Sequence, residues 1–368
     1  MTRFFVAFTL VASLTGCIDG TNPFQQTTTT PTSTTDQSQS ITTTPATTET
    51  PASTATSNTG DPITSDRSIL PGTTSPSASE TIFRREARIT GGSSTTSNYG
   101  NGYAESVSYN GTDDTFTVDN IAFDGAGPYT VVRNGAGNRL GIGPFSVFEN
   151  QATVADTLTA SSIGQLNYRA LYGVGPDGNT SIAIIRTGAY VEYGFGGYIY
   201  QRNGGVTLPT SGQARYTGTN NYGGLRDFSG RGGLEYVNGD MEVNIDFNDF
   251  NDGSGVKGTV TNRRVFDMNG TDVTSDILTA FGTGTTQLPI LRFVIEPGVL
   301  DSNGEVVGEI RSDDPRDGTA FETGNYYAVL SGNNANTITG VIVVTSKSPR
   351  YGIQIDVRET AGFFAVRQ

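Results

Sequence analysis

The chain has 368 residues, 35% of them hydrophobic and 16% charged, and it contains 48 glycines, one cysteine, no histidine and no tryptophan. The lack of imidazole excludes Ser-His-Asp and Cys-His catalysis, and it excludes zinc sites built from histidine and cysteine. A net charge of −13 argues against a nucleic-acid partner, because phosphate binding depends on clustered lysine and arginine.

Residues 1–17 have the layout of an export signal. Arg3 precedes an apolar run over residues 4–14, which is too short to span a bilayer and fits the hydrophobic region of a signal peptide. The run ends in Leu-Thr-Gly-Cys at residues 14–17, which resembles the lipobox of bacterial lipoproteins. We therefore predict that Cys17 is lipidated and attaches the chain to a membrane. The alternative is an ordinary secretory signal whose cysteine is removed or buried.

The residue after the cysteine bears on which membrane is used. Lipoproteins of this type often carry aspartate there when they are retained at the inner membrane. Ile18 occupies that position here, with Asp19 one step later, and the outer membrane is therefore the expected location.

Residues 18–81 are predicted to form a disordered linker. Threonine, serine and proline dominate this stretch, and it has too few apolar side chains to offset the entropy of ordering. A flexible chain of about 60 residues has a mean span of about 40–45 Å. Such a linker would hold a folded head clear of the membrane.

From residue 82 onward the pattern is that of an all-β protein. Apolar residues alternate with polar ones over residues 241–248 and again over 353–358, which predicts strands with one buried face. Asn110-Gly111 and Asp177-Gly178 lie between apolar runs and predict hairpins. Only residues 274–281 indicate a helix. Strands at intervals of about 10–15 residues predict an antiparallel barrel or sandwich.

Residues 190–200 contain an unusual density of aromatic rings. One face of the predicted strand would carry Tyr190, Tyr198 and Tyr200, which form a candidate ligand surface. The structural alternative is that these rings pack in the core and rim of a barrel, as aromatic strand residues usually do.

Several motifs resemble the transferrin-binding-protein-B-like β-barrel family. Residues 208–218 resemble its Pro-x-Ser-Gly-x-Ala-x-Tyr-x-Gly run, and residues 193–198 resemble the aromatic strand before it. Residues 243–247 and 256–260 match the strand and hairpin that follow. Residues 358–364 resemble the closing strand of the family, with an alanine where one of its glycines is usual.

The resemblance implies an antiparallel eight-stranded β-barrel over residues 188–368, preceded by a β-rich, handle-like region over residues 82–187. It also implies a surface lipoprotein of a Gram-negative bacterium. On this basis we expect a non-catalytic, lipid-anchored protein of the outer membrane and cell surface. It would bind a protein or a small nutrient ligand, such as an iron or haem carrier. The alternative is a structural or adhesive envelope protein without a specific solute ligand.

Other polar runs give weaker signals. The acidic run at residues 246–253 has the spacing of a calcium loop but carries Phe250 in place of the middle ligand, so a solvated hairpin end is the preferred interpretation. Residues 84–88 are rich in arginine and are interpreted as a solubilising domain edge rather than a basic interaction site. A hydrolase using two carboxylates is a third hypothesis. No catalytic residue, cofactor or metal ligand is assigned.

Overall fold

A computed structural model describes residues 68–88, 102–119, 121, 129–133, 135–150, 153–156, 158–164, 167–188, 193–248, 255–282, 284–296 and 298–368. All of these residues belong to one compact unit. The unit is built from antiparallel β-strands, which confirms the all-β prediction. In this part of the chain no helix combines the length and the apolar character needed to cross a bilayer.

The first half of the unit holds ten strands and one short helix. In chain order they are β1 (Ile82–Arg85), β2 (Ser106–Asn110), β3 (Thr115–Asp119), β4 (Tyr129–Arg133), α1 (Gly135–Leu140), β5 (Ser146–Glu149), β6 (Thr153–Ala155), β7 (Ser162–Gly164), β8 (Arg169–Val174), β9 (Thr180–Arg186) and β10 (Gly196–Arg202).

The second half holds nine strands and one helix. In chain order they are β11 (Gln213–Thr217), β12 (Tyr222–Ser229), β13 (Leu234–Asp246), β14 (Val256–Asp267), α2 (Thr274–Phe281), β15 (Leu291–Phe293), β16 (Glu305–Asp313), β17 (Ala320–Ser331), β18 (Thr337–Ser348) and β19 (Gly352–Arg367).

The first half forms an eight-stranded sheet, which we call the handle sheet, in the order β1-β10-β9-β8-β5-β4-β3-β2. A small β6–β7 hairpin lies outside it. Because β10 pairs with β1 and β9, the sheet continues past residue 188, where the sequence places the start of the barrel. The first barrel strand in the structure is β11.

The second half closes into a barrel. Its strands follow the order β12-β19-β18-β17-β16-β15-β14, and β13 pairs with both β12 and β14 to complete the ring. The short strand β11 also lies between β13 and β19, so it extends the strand position of β12. The ring therefore has eight strand positions, which confirms the predicted eight-stranded barrel.

Alternation along the strands produces three apolar cores. One cluster fills the barrel and includes Val243 and Ile245, at alternate positions of β13 as predicted. A second cluster lies between the barrel wall and the handle sheet and includes Tyr198 and Phe364. A third covers the other face of the handle sheet. The handle sheet and the barrel thus share a buried apolar interface.

The predicted linker ends earlier than residue 81. Leu70 is buried, the Thr73 amide donates to the Phe83 carbonyl at 3.0 Å, and the Arg85 amide donates to the Pro71 carbonyl at 3.0 Å. Residues 71–73 therefore cover the outer edge of β1. The low apolar content that suggested a linker does not prevent order here, because the sheet edge supplies backbone partners.

The predictions for individual helices, turns and strands are confirmed at some positions and wrong at others. Helix α2 spans the predicted residues and buries Ile277 and Phe281. The hairpin of β2 and β3 is present, but its turn has four residues and uses Asp114 at φ 51° rather than an Asn-Gly pair. Ile353 does not lie on a buried face, since it is 74% exposed. The short helix α1 was not predicted.

Candidate functional site

The predicted site residues fall in two places. Cys17 and Tyr190 lie outside the described residues. Tyr198 and Tyr200 lie on β10, buried between the handle sheet and the barrel, and burial raises the pKa of both phenols well above the ordinary value. The ring of Tyr198 stacks 6.3 Å from that of Tyr327 on the barrel. The two rings are buried against the outside of the barrel rather than in its core and rim, and they carry none of the proposals below.

The inside of the barrel is occupied by side chains. The rings of Phe293 and Tyr326 stack in parallel with centroids 3.5 Å apart, and aliphatic residues such as Val243 and Ile338 surround them. An eight-stranded barrel is just wide enough for its side chains to fill it. A ligand would therefore have to contact the outside of the molecule.

One end of the barrel interior holds a buried ion network. The Arg263 guanidinium lies 2.6 Å from Glu322 and 3.1 Å from Glu359. The Tyr222 hydroxyl donates to Glu359 at 2.6 Å, and Arg226 lies 3.6 Å from the same carboxylate. The residues come from β12, β14, β17 and β19, so the network connects strands around the ring.

The surroundings keep the Arg263 guanidinium charged and the Tyr222 phenol neutral. Burial alone would lower the pKa of Arg263, but the charges of Glu322 and Glu359 outweigh it, and the pKa lies above the ordinary arginine value. Burial raises the pKa of Tyr222, so its phenol stays protonated and can donate. The network is a fixed arrangement of paired charges.

A second ion network lies on the outer wall of the barrel, facing the handle sheet. Arg358 of β19 binds Asp227 of β12 at 2.6 Å and 3.0 Å. Arg186 of β9 binds Glu86 at 2.8 Å and lies 3.6 Å from Asp227. Arg186 and Asp227 are fully buried. Charges from both sheets therefore neutralise one another across the interface.

A third contact corrects the interpretation of residues 84–88. Arg84 is 2% exposed and forms two hydrogen bonds to Glu305 of β16, at 2.6 Å and 2.7 Å. It is neither a solubilising edge residue nor part of a basic surface. The sequence pattern could not reveal this, because its partner lies 221 positions away.

Arg202 of β10 is a buried cation held by carbonyl groups. Its five N–H donors face the carbonyl oxygens of Gly204, Asn303, Leu330, Ser77 and Glu80 at 2.8–3.1 Å. These carbonyls belong to the start of the unit, to the loop after β10 and to the barrel. The Arg202 guanidinium therefore connects three parts of the chain through hydrogen bonds.

The buried carboxylates of these networks are suited to structure rather than to acid–base chemistry. A glycoside hydrolase needs one protonated and one ionised carboxyl facing a cleft, whereas Glu322, Glu359, Asp227 and Glu305 each accept from a buried guanidinium. Among the described residues, no group of three or more acidic or cysteine side chains is placed to hold a metal ion. Residues 249–254 of the acidic run lie outside those residues.

A groove of about 490 Å³ lies on the outer wall near the β13–β14 hairpin. Arg215, Asn244 and Lys257 line it together with Ile295. Arg215 is already paired with Glu242 at 2.6 Å, and this pair lowers the pKa of Glu242. None of the described residues that line the groove carries a buried, unpaired ligand-binding group, so it is a surface depression rather than a built site.

Comparison with known proteins gives similarity in structure only. Neither the protein-family models nor the curated proteins contain a match to this chain. A transferrin binding protein B double mutant from Haemophilus parasuis is similar over 73% of this chain and 45% of its own length, at 13% identity and a TM-score of 0.35. The isotype 1 transferrin binding protein B of serogroup B Neisseria meningitidis is similar over 78% and 63%, at 11% identity and a TM-score of 0.29.

A structure described as a surface lipoprotein is similar over 52% of this chain and 76% of its own, at 11% identity and a TM-score of 0.26. The chain spans less than half of the Haemophilus structure. It resembles the transferrin-binding-protein-B-like family in structure as it does in its sequence motifs. At these identities and TM-scores the similarity carries no argument about function.

Proposed function

We propose that this chain is a non-catalytic lipoprotein, anchored in the outer membrane through Cys17, whose β-barrel head binds a protein ligand at the cell surface. The observation that carries the proposal is the packing of the head. The barrel interior is occupied by Phe293, Tyr326 and their apolar neighbours, so binding falls to the outer surface. An outer surface suits a protein-sized partner better than a small solute, which needs a concave site.

The ion networks support the same proposal. The contact between Arg186 of the handle sheet and Asp227 of the barrel joins the two, so the loops at the ends of both are carried on one scaffold. Binding surfaces on a rigid scaffold lose less entropy on association than mobile ones. The lipobox at residues 14–17 and the Thr/Ser/Pro-rich stretch after it are the sequence features that would present this head outside the cell.

Capture on beads tests the binding role. The full chain carrying Cys17→Ala would be immobilised and incubated with host serum, and retained proteins would be identified by mass spectrometry. A matched bead would carry the same protein after heat unfolding. We expect a serum protein to be retained by the folded protein alone. Retention of nothing, with no effect of gene deletion other than loss of attachment, would instead support the structural or adhesive alternative.

Fractionation and protease shaving test the anchor and its location. The wild-type chain should sediment with outer membranes, and Cys17→Ala should appear in the soluble fraction, because the lipid contributes the membrane affinity. Protease added to intact cells should remove the head. Membrane association of Cys17→Ala, or a head that is protected from the protease, would contradict the corresponding part of the proposal.

A further inference from the structure

Two neighbouring turns at one end of the barrel present a fixed arginine on an aromatic ring. Strand β12 pairs with β19 in the register Ser229–Asp356, so the β12–β13 turn lies beside the β18–β19 turn. The first turn carries Arg231 and the second carries Tyr351. The Arg231 guanidinium carbon lies 3.7 Å from the centre of the Tyr351 ring.

The ring beneath the arginine is itself held in place. The Tyr351 hydroxyl accepts a hydrogen bond from Arg350 at 2.8 Å and donates one to Glu235 at 3.1 Å. Phe228 meets the ring edge to face, with centroids 5.4 Å apart and planes at 87°. Its ring also lies 4.8 Å from the Arg231 guanidinium carbon. Arg231 is therefore positioned by two rings, and a stacked guanidinium keeps its in-plane donors free.

No acid of the described chain neutralises this cation. Arg350, on the other side of the ring, is paired with Glu235 and with Asp276 at 2.9 Å and 3.0 Å. Arg231 forms no ion pair with any described residue. Its Nη1 atom is buried without an acceptor, but the side chain is half-buried, so a partner's carboxylate would reach the other N–H donors of the guanidinium. A positioned guanidinium with an unused donor is the arrangement that a carboxylate completes with charge-assisted hydrogen bonds.

An exposed aliphatic side chain follows this turn, at the start of β19. Ile353 follows Tyr351 by two residues and is 74% exposed, among the most exposed large apolar side chains of the described chain. Arginine and tyrosine are the residue types that most often dominate binding energy at protein interfaces, and a neighbouring apolar contact excludes water from them.

We propose that Arg231, Tyr351 and Ile353 form a docking surface for a protein segment that carries a carboxylate beside an aliphatic side chain. The carboxylate pairs with Arg231 and the aliphatic side chain packs on Ile353. The inference rests on the proposed function, because it names the surface and the partner chemistry of the same binding head. The argument for this occupant is local charge complementarity: the Arg231 guanidinium pairs with no acid among the described residues, and a carboxylate is the group that complements it.

A defined peptide tests the surface without knowledge of the natural partner. The probe is a fluorescein-labelled hexapeptide of alternating leucine and glutamate, and its control is the same peptide with glutamine in place of glutamate. Binding to the full chain carrying Cys17→Ala is followed by fluorescence anisotropy. We expect the glutamate peptide to bind at least about tenfold more tightly than the glutamine peptide, and the difference to shrink as salt is raised.

Three variants assign the binding to this surface. Arg231→Gln should abolish the preference for the glutamate peptide. Ile353→Ser should weaken the binding of both peptides. Arg311→Gln removes another exposed arginine, on β16, and should change neither affinity. Unfolding in urea serves to show that each variant is folded. Equal affinity of both peptides for the wild-type chain, or an unchanged preference in Arg231→Gln, would overturn the proposal.

The serum capture experiment separates this inference from the proposed function. If wild type and Arg231→Gln retain the same serum protein equally, the head binds a protein and this surface is not where it does so. If the peptides show the predicted preference while serum yields no partner, the docking surface stands and the serum-binding role fails.

Discussion

Asp227 and Arg358 lie directly opposite each other on strands β12 and β19, and their side chains share two hydrogen bonds on the outer wall of the barrel. One position along the same pair of strands, Arg226 lies opposite Glu359, with both side chains turned into the barrel. At the first position the acid is on β12 and the arginine is on β19, whereas at the second the arginine is on β12 and the acid is on β19. A single strand pairing therefore supplies one ion network to the handle interface and another to the barrel interior.

Arg358→Gln tests the outer network. The change leaves Asp227 fully buried without its two-bond partner, and loss of one member of a buried ion pair costs about 3–5 kcal/mol. We expect the urea midpoint of unfolding to fall accordingly. Arg264→Gln breaks the solvent-exposed pair with Asp272 and should cost less than about 1 kcal/mol. Similar losses of unfolding free energy in the two variants would show that burial of the Asp227–Arg358 pair does not determine how much the pair stabilises the fold.

Arg202→Lys tests the cation that is held by carbonyls. A lysine keeps the charge but has three donors on a single nitrogen, so it cannot serve five carbonyl groups on three parts of the chain. We expect a loss of about 2–4 kcal/mol in the free energy of unfolding, because each buried carbonyl left unpaired costs about 1–3 kcal/mol.

Hydrogen exchange adds a local measurement for the same variant. In Arg202→Lys the backbone around residues 77–80 should exchange faster than in wild type, since Arg202 binds the Ser77 and Glu80 carbonyls. Arg311→Lys, on the barrel surface, serves as the control and should leave both stability and exchange unchanged. Wild-type protection of residues 77–80 in Arg202→Lys would mean that this segment is held by other contacts.

Much of the fold follows from local patterns. Alternation at residues 241–247 and the helix at Thr274–Phe281 depend on neighbours a few positions apart, and the structure has both as predicted. The eight-stranded barrel agrees with the family that the motifs resemble. Strand β10 is different, because its assignment to the handle sheet depends on pairing with β1, more than 100 positions earlier. Periodicity alone does not indicate which sheet a strand joins.

The polar sites could not be predicted from the sequence in the same way. Arg84, Arg186 and Arg358 stand in ordinary mixed stretches of the chain, and each binds an acid brought near by tertiary pairing. The run at residues 84–88 suggested a charged edge because composition does not distinguish a buried arginine from an exposed one. A pairing register would have been enough to place Arg226 opposite Glu359 and Asp227 opposite Arg358.

Asp177→Asn tests a pH-dependent contact between the handle sheet and the barrel. The Asp177 carboxylate accepts from Ser331 and Thr337 at 2.5 Å and 2.8 Å and from the Asn179 amide at 3.0 Å. Partial burial would raise its pKa, but these hydrogen bonds outweigh that effect, and the pKa lies below the ordinary value of 3.8. A depressed folded pKa means stability that is present above pH 3.8 and lost as pH falls through the folded pKa.

We therefore expect Asp177→Asn to be less stable than wild type at pH 7 by about 1 kcal/mol, since a hydrogen bond to a charged group contributes about 1.5–3 kcal/mol when buried and less when partly solvated. The difference should narrow as pH is lowered below about 4. Thermal unfolding of both proteins between pH 7 and pH 2.5 measures this. A difference that stays constant or grows toward low pH would contradict the assigned ionisation.

Gly324→Ala tests how closely the barrel strands approach one another. Gly324 lies on β17, and a methyl group added there would sit 1.9 Å from the Val343 carbonyl oxygen on β18. The contact is with backbone, so a rotamer change cannot relieve it and the two strands would have to move apart. Overpacking of this kind costs about 1–3 kcal/mol or more. We expect Gly324→Ala to lower the melting temperature by several degrees, as such a loss implies for a domain of this size.

Gly164→Ala is the matched control for this test. Gly164 ends strand β7, its backbone angles are compatible with alanine, and a methyl group there would have nothing within 4 Å. The substitution should leave the melting temperature unchanged or raise it by about a degree or two, because it adds no clash and alanine restricts the unfolded chain. If Gly324→Ala melted as late as Gly164→Ala, strands β17 and β18 would have to be further apart than their pairing at Gly324 and Val344 implies.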